Sequence, residues 1–153
     1  EVMSQYHLAQ LNTAVPLYPL DDPRMAGFMD NLDRINRLGE GSEGFVWKLN
    51  DADGHSMEFR IPGAPEDMAI NLTVWENWKD LSQFAYRSEH VEFFKRRAEW
   101  FENPSVAMVV LWWLPHGHIP ILEEAWERLK HLREHGPTPY AFTTAQRFPA
   151  PES

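Results

Sequence analysis

The sequence predicts an α+β fold: a ferredoxin-like sandwich with an added C-terminal helix and strand. Three observations carry that expectation. Ala69 to Trp75, AINLTVW, alternates as a strand does, with Ile70, Leu72 and Val74 on one side and Asn71, Thr73 and Trp75 on the other. Met25, Phe28, Leu32, Ile35 and Leu38 recur at the spacing of one helical face. Val106 to Leu114, VAMVVLWWL, is continuously apolar between Pro104 and Pro115, as in a strand buried on both sides.

The elements follow in order. Tyr6 to Asn12, YHLAQLN, reads as the first strand. Asp22 is the N-cap of the first helix, with Pro23 at its first helical position, and Gly39 and Gly41 end it. Phe45 to Leu49 is a second strand, DADG at 51–54 a turn, and His55 to Ile61 a short strand. After Ala69–Trp75, the longest helical pattern runs from Lys79 to Phe101, capped by Asp80 with Gln83 three residues on and stopped by Pro104. The apolar strand comes next. Pro120 opens a last helix that buries Leu122, Ala125, Trp126, Leu129 and Leu132 and closes at Gly136-Pro137. His131 and His135 lie near its C-terminal end, where a protonated imidazole complements the helix dipole. Ala141 to Phe148 reads as a final strand.

The order β-α-β-β-α-β, with an added α-β, is the ferredoxin-like one. Such a sheet carries helices on one face. A fourth strand apolar on both sides demands cover on the other face as well, and face-to-face pairing of two sheets in a homodimer would supply it.

The chain of 153 residues fits a single domain, 1–153, with an ordered core over about 5–148. Its net charge of −9, without a basic run, excludes a nucleic-acid backbone or an anionic membrane surface as the natural partner. With no cysteine, thiol chemistry and Cys-type metal sites drop out. No apolar stretch approaches about 18 residues, so no membrane span is expected. The start, EVMSQYHLAQLN, lacks the pattern of a secretory signal, and a cytoplasmic location is the expectation. Seven Trp and nine Phe are enough to wall an apolar pocket.

The polar residues on apolar faces are the candidates for chemistry. On a helical wheel, Phe84, Val91, Phe94, Ala98 and Phe101 define the buried arc of the long helix. Arg87 falls near the middle of that arc and His90 at its edge, with Arg97 beside His90. An inward guanidinium must pair, snorkel or meet a ligand. Glu58 or Glu76 would serve as the partner. Otherwise Arg87, His90 and Tyr86 line a pocket between helix and sheet, with Phe94, Trp100, Trp112, Trp75 and His116 as further walls.

The stretch LWWLPHGHIP, 111–120, reads first as structure. Trp112 and Trp113 point to opposite faces of a strand, one toward the helices and the other toward a barrel or dimer partner. Gly117 turns the chain. His116 and His118 alone do not make a metal site, since no Asp/Glu cluster or H-E-x-x-H accompanies them. Phosphate-binding loops and G-x-S-x-G are absent. The glycine-rich GEGSEG at 39–44 follows a helix and precedes a strand, the wrong order for cradling phosphate, so it reads as a connector.

Leu111 to Thr143, LWWLPHGHIPILEEAWERLKHLREHGPTPYAFT, resembles the C-terminal signature of a bacterial family labelled a domain of unknown function. In it a W-W-x-P-x-G-H-x-P turn leads into a helix and then an H-G-P-x-P-x-A-F-T segment. Asp21 to Ile35 and Phe84 to Phe101 resemble the same family, so the likeness runs from about His7 to Phe148. The resemblance implies the dimeric α/β-barrel superfamily, which includes antibiotic-biosynthesis monooxygenases, haem-using enzymes, stress-response barrels and small isomerases or cyclases. It implies no catalytic residues, and a shared fold does not transfer chemistry.

Two functions are therefore expected as alternatives. One is a pocket enzyme for a small apolar or aromatic molecule, monooxygenase-like or isomerase/cyclase-like and cofactor-free. In it His90 is general acid/base, Arg87 stabilises an oxyanion, and Tyr86 or Arg97 assists. A haem variant would use His90 as axial ligand. The other is a non-catalytic, ligand-binding or stress-associated dimeric barrel in which Arg87 and His90 are structural.

Overall fold

A computed structural model of the chain describes residues 5–49, 68–87 and 90–151. Four strands, β1 (Tyr6–Ala14), β2 (Phe45–Lys48), β3 (Ala69–Trp75) and β4 (Val109–Pro115), form one antiparallel sheet in the order β2-β3-β1-β4. The helices are α1 (Ala26–Glu40), α2 (Trp78–Arg87), α3 (His90–Lys95) and α4 (Leu122–His135), with short 3-10 turns at Pro23–Met25 and Arg97–Glu99. The mixed α+β class expected from sequence is thus observed, and the strand order is compatible with a ferredoxin-like sandwich.

β1 sits at the centre because it is apolar enough to be covered on both sides: Leu8, Ala9 and Leu11 are all fully buried. Strand alternation sorts the sheet into two faces. On one, Ala9, Leu11, Leu72, Val74, Val110, Trp112 and Leu114 merge with Ala125, Trp126, Leu129 and Leu132 of α4 in one continuous core. On the other, Leu8, Trp75 and Leu111 meet Leu81 and Phe84 of α2, while Ala69 meets Met25 and Phe28 at the start of α1. The face that sequence reasoning gave to a partner's sheet is therefore covered by α4 of the same chain.

Several boundaries differ from expectation for local reasons. The pattern read as one helix over Lys79–Phe101 is helical over α2 and α3 and passes into a 3-10 turn at Arg97–Glu99; residues 88 and 89 lie outside the described residues. Asn77, not Asp80, caps α2: its Oδ1 accepts the Asp80 N–H at 2.9 Å. Asp80 is buried, and its carboxylate instead lies against Gly44. β4 begins at Val109, three residues later than expected, and Val106 is exposed. No strand forms over 141–148. Phe142 alone pairs with Leu111, through two hydrogen bonds of 2.9 Å, and Thr143 Oγ1 then takes the Gln146 N–H at 2.9 Å and turns the chain away. The strand expected at His55–Ile61 lies outside the described residues.

Other signals are borne out. Asp22 Oδ1 accepts the Arg24 N–H at 2.8 Å, and Gly136, at φ 76°, closes α4 with its N–H on the Leu132 carbonyl. Gly44 joins α1 to β2 at φ 81° and accepts the Glu76 N–H at 2.7 Å. A Cβ there would run into the Asp80 side chain, so this turn requires glycine twice over.

Candidate functional site

The two faces of the sheet are built differently. The α4 face is a single apolar core. The face under α1 and α2 is split into two apolar clusters, one around Leu8, Trp75, Leu81, Leu111 and Phe142, the other around Met25, Phe28, Ala69 and Trp100. Between them the register sets polar residues opposite one another: Gln10 against Thr73, and Asn12 against Asn71. Lys48 of edge strand β2 stands beside Thr73 on the other side and is almost completely buried. A polar band thus crosses the middle of a face that both helices cover.

Hydrogen bonding in the band is partial. The Trp75 indole N–H donates to Thr73 Oγ1 at 3.1 Å, and Thr73 Oγ1 in turn donates to Gln10 Oε1 at 3.4 Å. Lys48 Nζ donates to the Leu49 carbonyl at 3.2 Å. Asn71 Oδ1 is buried with no hydrogen-bond partner among the described residues, and so is Asn36 Nδ2 on α1. An unmet acceptor or donor in a protein interior costs about 1–3 kcal/mol, so two such atoms on the elements enclosing one layer ask for an explanation. Aromatic rings wall the band at one end. Trp75 stacks on Phe84 of α2 with centroids 5.3 Å apart and an interplanar angle of 23°, and Phe45 meets Trp75 edge-on at 5.6 Å. α1 and α2 approach closely because Gly39 leaves room for the Phe84 ring.

The structure brings together only part of the predicted site. Trp75 is in it. Trp100 lies on the same side of the sheet but at the opposite end, packed on Phe28 at 5.8 Å beneath the Arg96 guanidinium. Arg87 ends α2 and His90 opens α3, so both backbones border the helical layer; the side chains of Arg87, His90 and Phe94 lie outside those described. Tyr86 is 48% exposed and lies near Trp78 at the surface, so it does not wall a pocket. Arg97 is exposed on its own 3-10 turn, because the helix expected to set it beside His90 has already ended at Lys95. Trp112 belongs to the opposite face, buried under α4, and its N–H has no partner among the described residues. It is Trp113 that faces the pocket side, donating to the Phe148 carbonyl at 2.7 Å.

His116 is exposed in the turn after β4. Its ring lies 4.3 Å from that of His7, and its backbone N–H bonds the Gln5 carbonyl at 2.8 Å. Burial holds the His7 imidazole below its ordinary pKa. His116 lowers it further, and Glu76 pulls the other way. This pair sits at the end of the sheet, away from the polar band. Among the described residues no group of three or more His, Asp or Glu side chains is placed to hold a metal ion, and no helix is long and apolar enough to cross a membrane.

Sequence reasoning missed Gln10, Asn12, Asn36 and Lys48. The alternation of AINLTVW did place Asn71, Thr73 and Trp75 on one side. What it lacked was the knowledge that this side is roofed by helices, which makes polar residues there unusual.

No curated protein sequence matches the chain. Two solved structures are similar in fold. A protein of unknown function from Nitrosomonas europaea, NE2512, shares 10% identity at a TM-score of 0.45, over 76% of this chain and 95% of its own. PA3566 from Pseudomonas aeruginosa shares 17% at a TM-score of 0.43, over 77% of this chain and 100% of its own. The family profile described as "Domain of unknown function (DUF3291)" matches residues 7–153, and the chain belongs to that family.

Proposed function

We propose that this protein is a small-molecule pocket enzyme, with its site between the α1/α2 layer and the polar band of the sheet. The observation that carries this reading is the interrupted core: Gln10, Asn12, Asn71 and Thr73 separate two apolar clusters on a helix-covered face, and Asn71 Oδ1 and Asn36 Nδ2 have no hydrogen-bond partner among the described residues. Interiors normally satisfy such groups, whereas ligand sites set a few polar atoms among aromatic walls.

The substrate class that fits is a small, flat, largely apolar molecule with one polar edge. Its body would lie along Trp75 and Phe84, and its polar edge on the amide band. In this reading His90 is the general acid/base and Arg87 stabilises a developing oxyanion. Cofactor-free monooxygenase-like or isomerase/cyclase-like chemistry is the reading adopted, since an acid/base imidazole and an oxyanion-stabilising guanidinium need no bound group.

The test is a ligand-observed NMR screen of aromatic fragments against the native protein and Asn71→Leu, with the emission of Trp75 as a second readout. Fragments that bind the native chain, quench tryptophan and are lost in Asn71→Leu support the site. An identical set of binders in both proteins, or none in either, overturns it. Fragments that are turned over are then tried with His90→Ala, which should retain binding and lose turnover. A visible absorption band on the purified protein that vanishes in His90→Ala would replace the cofactor-free reading with a haem one.

A further inference from the structure

His131 and His135 stand one helical turn apart on α4, their ring centroids separated by 4.3 Å. Tyr140, from the segment that follows, sets its ring against His131 at 4.7 Å and 64°. Tyr140 is itself held by Arg128, which lies over its ring at 3.9 Å and donates to its carbonyl at 2.8 Å. His131 borders an open depression of about 300 Å³ whose other walls are Glu127, Lys130, Glu134 and Tyr140. None of these residues takes part in the proposed pocket, which lies across the sheet.

We propose that His131 and His135 chelate a borderline divalent transition metal ion, Cu²⁺ most strongly, then Ni²⁺ and Zn²⁺. Imidazole nitrogen suits these ions, and residues four apart on a helix share a face. Two nitrogens at about 2.0–2.1 Å from one ion stand roughly 3 Å apart, which rings at this separation reach by rotating their side chains without moving the helix. The helix itself is fixed, since Leu129 and Leu132 are buried in the core beneath it. Tyr140 limits the rotation of His131 on one side.

The surrounding charges suit a cation. Lys130 is held by Glu127 at 2.7 Å, and Glu134 Oε1 lies 3.9 Å from His135 Nε2. With no third protein ligand among the described residues, water completes the coordination sphere. Protons compete for the same nitrogens, so binding weakens as pH falls.

Isothermal titration of CuCl₂, NiCl₂ and ZnCl₂ into the full chain near pH 7.5 tests this. One ion per chain is expected, in the order Cu²⁺ > Ni²⁺ > Zn²⁺, weakened about tenfold or more in His131→Ala and in His135→Ala. Copper EPR should show two nitrogen ligands in the native protein and one in each variant. Circular dichroism checks that the variants keep their helix, as alanine at these outward positions should. The double variant His7→Ala/His116→Ala removes the other close ring pair and should bind normally. Binding that survives both α4 substitutions, or that disappears only in the His7/His116 variant, overturns the site, as does no binding at all.

Discussion

The indole N–H of Trp75 donates to the hydroxyl of Thr73, two residues back on the same strand, at 3.1 Å. Both side chains are buried, and Thr73 passes the bond on to Gln10 of the neighbouring strand. The pair therefore sets the orientation of the largest aromatic wall of the proposed pocket. Thr73→Val keeps the shape and removes the acceptor, leaving a buried N–H unpaired. Its expected cost is about 1–3 kcal/mol, with a shift in the tryptophan emission that a substitution remote from Trp75 does not cause. Urea unfolding and fluorescence measure both; unchanged stability together with an unchanged spectrum would show that the bond is not formed.

Asn71→Leu should act in the opposite direction on stability. It deletes an acceptor that has no partner among the described residues and extends the apolar surface between the two clusters. The ligand-free protein should gain about 1 kcal/mol while the site loses ligand, a trade of stability for function that structural polar residues do not make. A clear loss of stability on this substitution would mean that Asn71 serves the fold.

Gly44→Ala should be among the most damaging small substitutions in the chain. It combines a positive φ with a Cβ placed on the Asp80 side chain, at the junction that also holds the Glu76 N–H. A loss of about 2 kcal/mol or more is expected, and Gly44→Ala/Asp80→Ala should recover part of it by removing the steric share while the backbone share remains. Chemical denaturation of the single and double variants separates the two. Full recovery in the double variant would assign the whole cost to the clash.

Acid should weaken the fold through His7. Its folded pKa is lowered, by burial first and by His116 second, so the unfolded chain binds the proton more readily. The contribution is fully present above the unfolded value of about 6.5 and is lost as pH falls through the lowered folded value. His7→Gln should flatten the stability profile as pH falls below about 6.5. A separate loss begins below about pH 4, where the unfolded chain starts to protonate Asp22, and is complete once pH falls through about 2, where hydrogen bonds from Arg24 hold the folded carboxyl. Unfolding curves at half-unit steps of pH read both windows, and an unaltered slope in His7→Gln would remove His7 from the account.

How much was legible in the sequence follows from what each signal measures. Period-two alternation and capping chemistry are local, so the bounds of β3 and the Asp22 cap were readable residue by residue. The long helix was readable only in part, because the Asn77 cap and the end of α3 at Lys95 are not set by hydrophobic spacing. A pattern such as VAMVVLWWL states that both sides of a strand are buried but not what buries them. The same ambiguity hid the candidate site: alternation put Asn71 and Thr73 on one side, but only the position of α1 and α2 shows that this side is roofed. It also misplaced Trp112, whose neighbour Trp113 is the one on the pocket face.

That last distinction can be measured. Trp112 and Trp113 are adjacent yet enter different layers. Trp112 is buried under α4 with no partner for its N–H among the described residues, whereas the Trp113 N–H donates to the Phe148 carbonyl at 2.7 Å. Trp112→Phe removes an unsatisfied donor along with some packing volume, so the two effects oppose and the net change should be within about 1–2 kcal/mol. Trp113→Phe removes a satisfied bond and leaves the Phe148 carbonyl to water. Its larger effect should be local: the segment after Phe142, which makes no strand, loses the side-chain bond that ties it down at Phe148. Limited proteolysis should therefore cut Trp113→Phe faster than the native chain between Thr143 and Pro151 and leave Trp112→Phe at the native rate. Equal protection in both variants would mean that Phe142 and Phe148 packing alone anchors the C-terminal segment.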